Sequence, residues 1–227
     1  METKETTVDY VLVDFEPLHK QRWRSDTIRL VCAEFPPYTT CLWHQHLKYG
    51  IYVVMAPLDV VEQPYGEKSR PLVQSKGAVF CRDHTKDKLI HAATTNELPA
   101  FIIEVELLKE KEDVIPNGNL PLHAGSGIEL LNNEPECRVY RFTLQDKSCD
   151  DYASTQVSLT LPTEAVLLAL EECEVEITST LADTLEDSVR QLSLNVGDDV
   201  HLDAGIFKLK LVSSGVKETQ FVLAEVF

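Results

Sequence analysis

The sequence predicts an all-β protein made of two copies of one sandwich or barrel. Short apolar runs recur about every ten residues with turn residues between them, the rhythm of antiparallel sheet folds. A charged, turn-rich interval over 109–121 breaks that rhythm near the middle of the 227 residues. Residues of the first half also recur in the second: Gly77, Asp83, Lys88, Leu89 and Phe101 reappear as Gly197, Asp203, Lys208, Leu209 and Phe221, each 120 positions on (197 − 77 = 120).

In chain order, residues 1–10 are polar and are expected to be ordered only toward their end. Strands are expected over 10–15, 27–35, 42–46, 50–55 and 58–62, with turns marked by Phe35-Pro36-Pro37 and Gln63-Pro64-Tyr65-Gly66-Glu67. Further runs at 78–82, 88–93 and 100–108 complete the first half. The boundary falls at 113/114, giving domains 1–113 and 114–227. Beyond it the rhythm resumes at 138–144, 156–161, 166–170, 175–178, 192–194, 199–202, 207–212 and 220–226. The stretch 182–190 is polar enough to be a loop or a single helical turn. Upstream of the repeated glycine the register needs gaps, with Asp59-Val60-Val61-Glu62 best matched by Glu174-Val175-Glu176-Ile177.

The formal charge of −16 is uneven: residues 1–110 carry 13 Lys and Arg against 16 Asp and Glu (net −3), and 111–227 carry 8 against 21 (net −13). An acid excess of this size repels phosphate backbones and anionic lipid, which disfavours nucleic-acid and membrane roles. The carboxylates of the second half are spread out and form no calcium-type loop. No apolar run reaches the roughly 18 residues needed to span a bilayer, and the first residues lack a secretory core, so the expectation is a cytoplasmic protein. Its six cysteines are scattered without a CxxC and read as free thiols. Two barrels in one chain can pair with each other, so a monomer or a homodimer is expected.

The chemistry is concentrated in Leu42-Trp43-His44-Gln45-His46. In a strand the side chains alternate faces, so His44 and His46 point the same way about 7 Å apart along the backbone and can offer two imidazole nitrogens to one metal ion. An isolated pair of this kind is more often structural than a metal site, and its placement has to carry the rest of the argument.

That placement resembles the first motif of the cupin family: a glycine, five residues, His-x-His, then an acidic ligand. The second cupin motif is a glycine, five residues, Pro-x-Gly, two residues, His and shortly an Asn. Here Pro36-Pro37-Tyr38 precedes His44 with Tyr38 at the glycine place, and Gly77 opens the second motif with Asp83 at the proline place. The resemblance implies two tandem cupin-type β-barrels (double-stranded β-helix or jelly roll), with the metal site in the first and a degenerate, metal-free second barrel. Three departures follow. No carboxylate lies near Gly50 or Ile51, where the acidic ligand is expected. Counting strictly from Asp83 puts Lys88 in the third ligand's place, with Lys208 equivalent in the second half. Matching on His91 to Asn96 instead puts His91 there, at the cost of a three-residue insertion in the preceding turn. Lys88 and His91 face opposite ways in a regular strand, and a turn absorbs an insertion more readily than a barrel interior absorbs a cation, which favours His91. The second half has only Ser158-Leu159-Thr160-Leu161 where His-x-His would stand.

A neutral His44, His46, His91 set would leave a divalent ion its full charge and draw an anionic donor. The resemblance therefore implies a metal-dependent enzyme acting on a small organic acid or thiol. Iron and dioxygenase-like oxidoreductase chemistry come first, with zinc, manganese or nickel and lyase or isomerase chemistry as the other form. Tyr49 and Tyr52 are the candidate proton donors. The competing reading is a non-catalytic cupin that binds a small ligand or a protein without metal, suggested by the missing acid, Lys88 and Lys208. Glu104 and Glu106 are expected on a solvated face opposite Phe101, Ile103 and Val105. His84 reads as a turn residue, and Cys41, at odd spacing from the pair, is expected on another face.

Overall fold

The computed structural model describes residues 8–110, 113–145, 155–180 and 187–227. The chain divides into two units, Met1–Leu108 and Lys109–Phe227.

In the first unit, one five-stranded sheet runs in the order β1 (Val11–Leu12), β4 (His44–Gln45), β9 (Ile90–Thr95), β6 (Leu58–Pro64), β7 (Arg70–Gln74). The other runs β2 (His19–Arg24), β3 (Ile28–Phe35), β10 (Ala100–Leu107), β5 (Tyr49–Val54), β8 (Val79–Asp83). A single helical turn, α1 (His84–Asp87), joins β8 to β9. The inner faces meet in a core that includes Ala33, Phe35, Val54, Leu58, Val60 and Ala100.

The second unit repeats this plan. One sheet runs β11 (Ile128–Glu134), β12 (Cys137–Gln145), β19 (Glu218–Val226), β14 (Ala165–Ala169), β17 (Asp199–Leu202). The other runs β13 (Gln156–Leu161), β18 (Gly205–Ser214), β15 (Cys173–Thr180), β16 (Asp187–Leu194). The expected loop or helical turn at 182–190 is a strand from Asp187 onward; 182–186 lie outside the described residues. Among the described residues no helix is long and apolar enough to cross a membrane.

The backbone ladders fix the correspondence between the units residue by residue. Gly77 (φ +79°) donates to the Val54 carbonyl at 2.7 Å and Gly197 (φ +83°) to the Ala169 carbonyl at 2.8 Å, so Val54 matches Ala169 and the two glycines make the same turn. Following the ladders from there matches Val60 with Val175 and Glu62 with Ile177, the register read from the sequence. Beyond Asp83 and Asp203 the constant offset fails. The pairs His44 with His91 and Leu159 with Phe207 make Phe207 the counterpart of His91, whereas Lys88 and Lys208 are not equivalent. The helical turn α1 accommodates the insertion that the His91 reading requires, and Lys88 is the left-handed residue that closes α1 (φ +47°). Phe221 matches Ile102 rather than Phe101.

Tyr38 stands at φ +54°, which explains the glycine the motif has there. A non-glycine residue in the left-handed region costs roughly 1 to 2 kcal/mol.

Candidate metal centre

Five histidines meet inside the first unit. β4 carries His44, and His46 follows one residue past its end with its N–H bonded to the Leu89 carbonyl at 2.9 Å. β9 brings His91 opposite His44. β2 starts with His19, opposite Ala33 of β3. α1 begins with His84, its first turn capped by the Asp83 carboxylate, which accepts the Thr85 N–H at 3.1 Å. Ring centroids lie 4.5 Å apart for His44 and His91, 4.6 Å for His19 and His44, 5.1 Å for His46 and His91, and 5.3 Å for His46 and His84.

Each ring is held from behind at Nδ1. His44 Nδ1 lies 2.8 Å from the Leu42 carbonyl, which can only accept, so Nδ1 carries the proton. His91 Nδ1 meets Glu62 Oε1 at 3.0 Å, His19 Nδ1 meets Glu16 Oε2 at 2.7 Å, and His46 Nδ1 lies 3.3 Å from Glu104 Oε1. A carbonyl or carboxylate behind the ring is the arrangement that fixes the tautomer and orientation of metal-binding imidazoles. It turns the Nε2 atoms of His44, His46 and His91 toward the cavity. His44 Nε2 and His46 Nε2 are 3.1 Å apart, and His91 Nε2 is buried without a hydrogen-bond partner. Donor atoms of His19, His44 and His46 all fall within 4.8 Å of one another.

The charges agree with this geometry. Burial, then the neighbouring His91, His19 and His46, drives His44 down to about 2, and burial takes His91 down to about 4, so both are neutral. Burial alone would depress His46, but the charge and hydrogen bond of Glu104 more than offset it and raise its pKa. Burial opposes the Glu104 charge in turn, yet His46 holds that carboxyl below the usual carboxylate range. Burial also works against the Glu62 charge, but bonds from His91 and Arg82 keep its carboxyl well below the usual range.

Some residues fall where the sequence puts them and others do not. Tyr52 reaches the site, its hydroxyl 3.4 Å from His46 Nδ1; burial and then the Glu104 charge push its pKa well up, so it keeps its proton. Tyr49 does not: three residues earlier on β5, it is on the other face and does not line the cavity. Glu104 and Glu106 are not solvated. Each is 2% exposed and faces the interior, while Ile103 and Val105 fill the opposite, equally buried face. Glu104 supplies the acid missing near Gly50, though behind His46. A side chain at 50 could not supply it, because a Cβ on Gly50 would sit 2.8 Å from the Tyr52 ring. Cys41 lies on the far side of His44, its Sγ 3.7 Å from Nδ1, and burial raises its thiol to about 11. His84 stands in the turn α1, as expected of it, and is buried there at 2% exposure. His19 was not signalled at all: it opens the polar run His19-Lys20-Gln21-Arg22, and only Glu16 three residues earlier hints at a role.

These side chains close one end of a cavity of about 660 Å³, its mouth included. In the second unit the same ladder positions are apolar. His19, His44, His46, Tyr52, Glu62, His91 and Glu104 correspond to Ile128, Leu159, Leu161, Leu167, Ile177, Phe207 and Leu223. Those counterparts belong to, or pack against, one continuous hydrophobic core. The fold therefore closes without the polar set, and the first unit bears the desolvation cost of that set for another reason.

Solved structures with this fold share little sequence with the chain. AerE from Microcystis aeruginosa aligns over 94% of this chain and 99% of its own (TM-score 0.60, 11% identity). Oxalate decarboxylase of Lactobacillus farciminis, solved as a formate complex, covers 88% and 77% (0.62, 9%). A Cupin 2 conserved barrel domain protein from Leptotrichia buccalis covers 100% and 92% (0.51, 10%), and the fold is that of two tandem cupin-type barrels. HEPD of Streptomyces albus, solved with 2-hydroxyethylphosphonate and Fe(II), covers 92% of this chain and 70% of its own chain (0.60, 11%). No family model matches the chain's sequence, and no curated protein matches it.

Proposed function

We propose that the N-terminal barrel holds one divalent metal ion at Nε2 of His44, His46 and His91, with His19 as a fourth nitrogen, and acts as an enzyme on a small organic acid or thiol. The observation that carries this reading is the approach of His44 Nε2 and His46 Nε2 to 3.1 Å, two ring nitrogens aimed at one spot. A proton or a cation shared between them accounts for that distance. Metal–nitrogen bonds of about 2.0–2.1 Å put two nitrogens on one ion roughly 3.0–3.4 Å apart. The orphaned Nε2 of His91 supports the same reading.

Bound there by neutral nitrogens, the ion would supply Lewis acidity and, if it is iron, access to oxygen chemistry. Iron is favoured for the oxidative form, in keeping with the Fe(II) in the HEPD structure. The chain's own residues do the rest. Glu62, Glu104, Glu16 and the Leu42 carbonyl hold the imidazoles in position, and the buried sheet walls exclude water. Tyr52 holds a proton on its hydroxyl at the cavity's deep end, where it can be given to a substrate anion.

The test is elemental analysis of the purified chain beside a His44→Ala/His46→Ala variant. Near-stoichiometric metal in the parent and none in the variant is expected. Well under one equivalent in the parent after metal supplementation would overturn the reading.

A further inference from the structure

The apolar lining of the cavity narrows the substrate class. We propose that this cavity takes a small monoanion whose acid head lies at the histidine end and whose tail is an undecorated hydrocarbon. This rests on the metal reading for the head only.

The tail follows from the lining. Apart from the polar site residues the lining is apolar, with Phe35, Val60, Leu72, Phe80, Ala100 and Ile102. The remaining polar groups of the lining, Thr95 and Arg82, are already committed. Thr95 Oγ1 donates to the Pro36 carbonyl at 2.6 Å and accepts the Thr39 N–H at 2.9 Å. Among the described lining residues Arg82 is the one permanent cation. Its Nη1 donates to Glu62 at 2.7 Å, and its guanidinium stacks on Phe80 with 5.2 Å to the ring centroid. A hydroxylated tail would therefore lose its water and find no partner, and a second anionic group would find no unmatched positive charge.

The single negative charge of the head follows from the deep end. There Glu104 already stands 3.3 Å from His46, and Glu62 already accepts from Arg82 at 2.7 Å and meets His91 at 3.0 Å, so apart from the ion itself the head meets no unmatched positive charge.

The second barrel shows that the space is made on purpose. Ala33 and Ala93 line the cavity where the ladder counterparts are Phe142 and Leu209, and Ile102 stands where the counterpart is Phe221. All three counterparts are core residues that fill the second barrel. Restoring them in the first barrel should fill the tail's place without touching an imidazole.

The experiment is calorimetric titration of the metal-supplemented full chain with three 2-oxo acids sharing one head: 4-methyl-2-oxopentanoate, pyruvate and 2-oxoglutarate. Metal content is measured on the same samples. The branched acid is expected to bind at least tenfold more tightly than pyruvate and than the dianionic 2-oxoglutarate. Ala93→Leu, and independently Ile102→Phe, should abolish that preference with metal content unchanged. Equal or tighter binding of pyruvate or 2-oxoglutarate, or filled variants that keep the preference, would overturn the assignment. A parent without metal that still prefers the branched acid would sink the metal reading and leave the tail assignment standing. A metal-loaded parent without the preference would do the reverse.

Discussion

Replacing Glu62 with Gln probes the link between the carboxylates and the histidines most directly. Glu62 Oε1 accepts from His91 Nδ1 at 3.0 Å and from Arg82 Nη1 at 2.7 Å, and Oε2 accepts from Arg70 Nε at 2.9 Å. Three donors converge on one carboxylate. Gln keeps the shape but offers one oxygen and an NH₂ group, so at least one of the three donors meets another donor, and His91 loses its anionic partner. Loss of such an outer-shell partner typically lowers metal affinity 10- to 100-fold, about 1.4 to 2.7 kcal/mol. Competition with a chromophoric chelator measures the affinity directly. Arg70→Gln serves as the control: it removes a partner from Oε2, leaves the His91 bond in place, and its side chain is half exposed. It should shift affinity less than threefold. Metal affinity unchanged in Glu62→Gln, or lowered equally in Arg70→Gln, would refute the view that Glu62 acts through His91.

Three further perturbations test the fold around the site. Tyr38→Gly relieves the left-handed strain of an exposed residue; with the added chain entropy of glycine offsetting part of the gain, chemical denaturation should show stabilisation of about 0.5 kcal/mol. Gly50→Ala pushes against the Tyr52 ring and should displace its hydroxyl from His46, read as a changed tyrosine absorbance and a loss of roughly 1 to 3 kcal/mol in stability. In the second barrel, buried Arg138 donates to the carbonyls of Asn117, Leu120 and Pro121 and to the Asn133 side chain. Arg138→Met leaves those acceptors without their donor and should cost about 3 kcal/mol, measured by urea unfolding; a loss below 1 kcal/mol would contradict it.

Much of this architecture was legible in the residues because it depends on local signals. The strand rhythm, the twinned glycine turns and the His44–His46 pair are set by alternation and turn chemistry. The His91 question was decided by α1, an insertion the sequence could only suggest. Alternation misled at Glu104 and Glu106, because it separates the two faces of β10 without saying which is inside. Ile103 and Val105 are apolar and buried, and the carboxylate face is buried too, since Glu104 is matched by His46 and Glu106 by Arg29 on the neighbouring strand β3. Tyr49 was named with Tyr52 for nearness in sequence, and three positions along a strand put it on the opposite face. His19 is brought in from β2 by long-range pairing, which no local pattern encodes.

The apolar counterparts in the second barrel mean that one chain carries two kinds of cohesion. Val175, Leu167 and Phe221 hold their barrel by burying hydrocarbon, an effect indifferent to protons and chelators. The first barrel rests partly on matched charges and, on the proposed reading, on the ion its imidazoles would hold. Heating should therefore melt the chain in two steps, with chelator moving the first step and leaving the second in place. Calorimetry would then read, in a single molecule, what a functional interior costs relative to the same barrel without one.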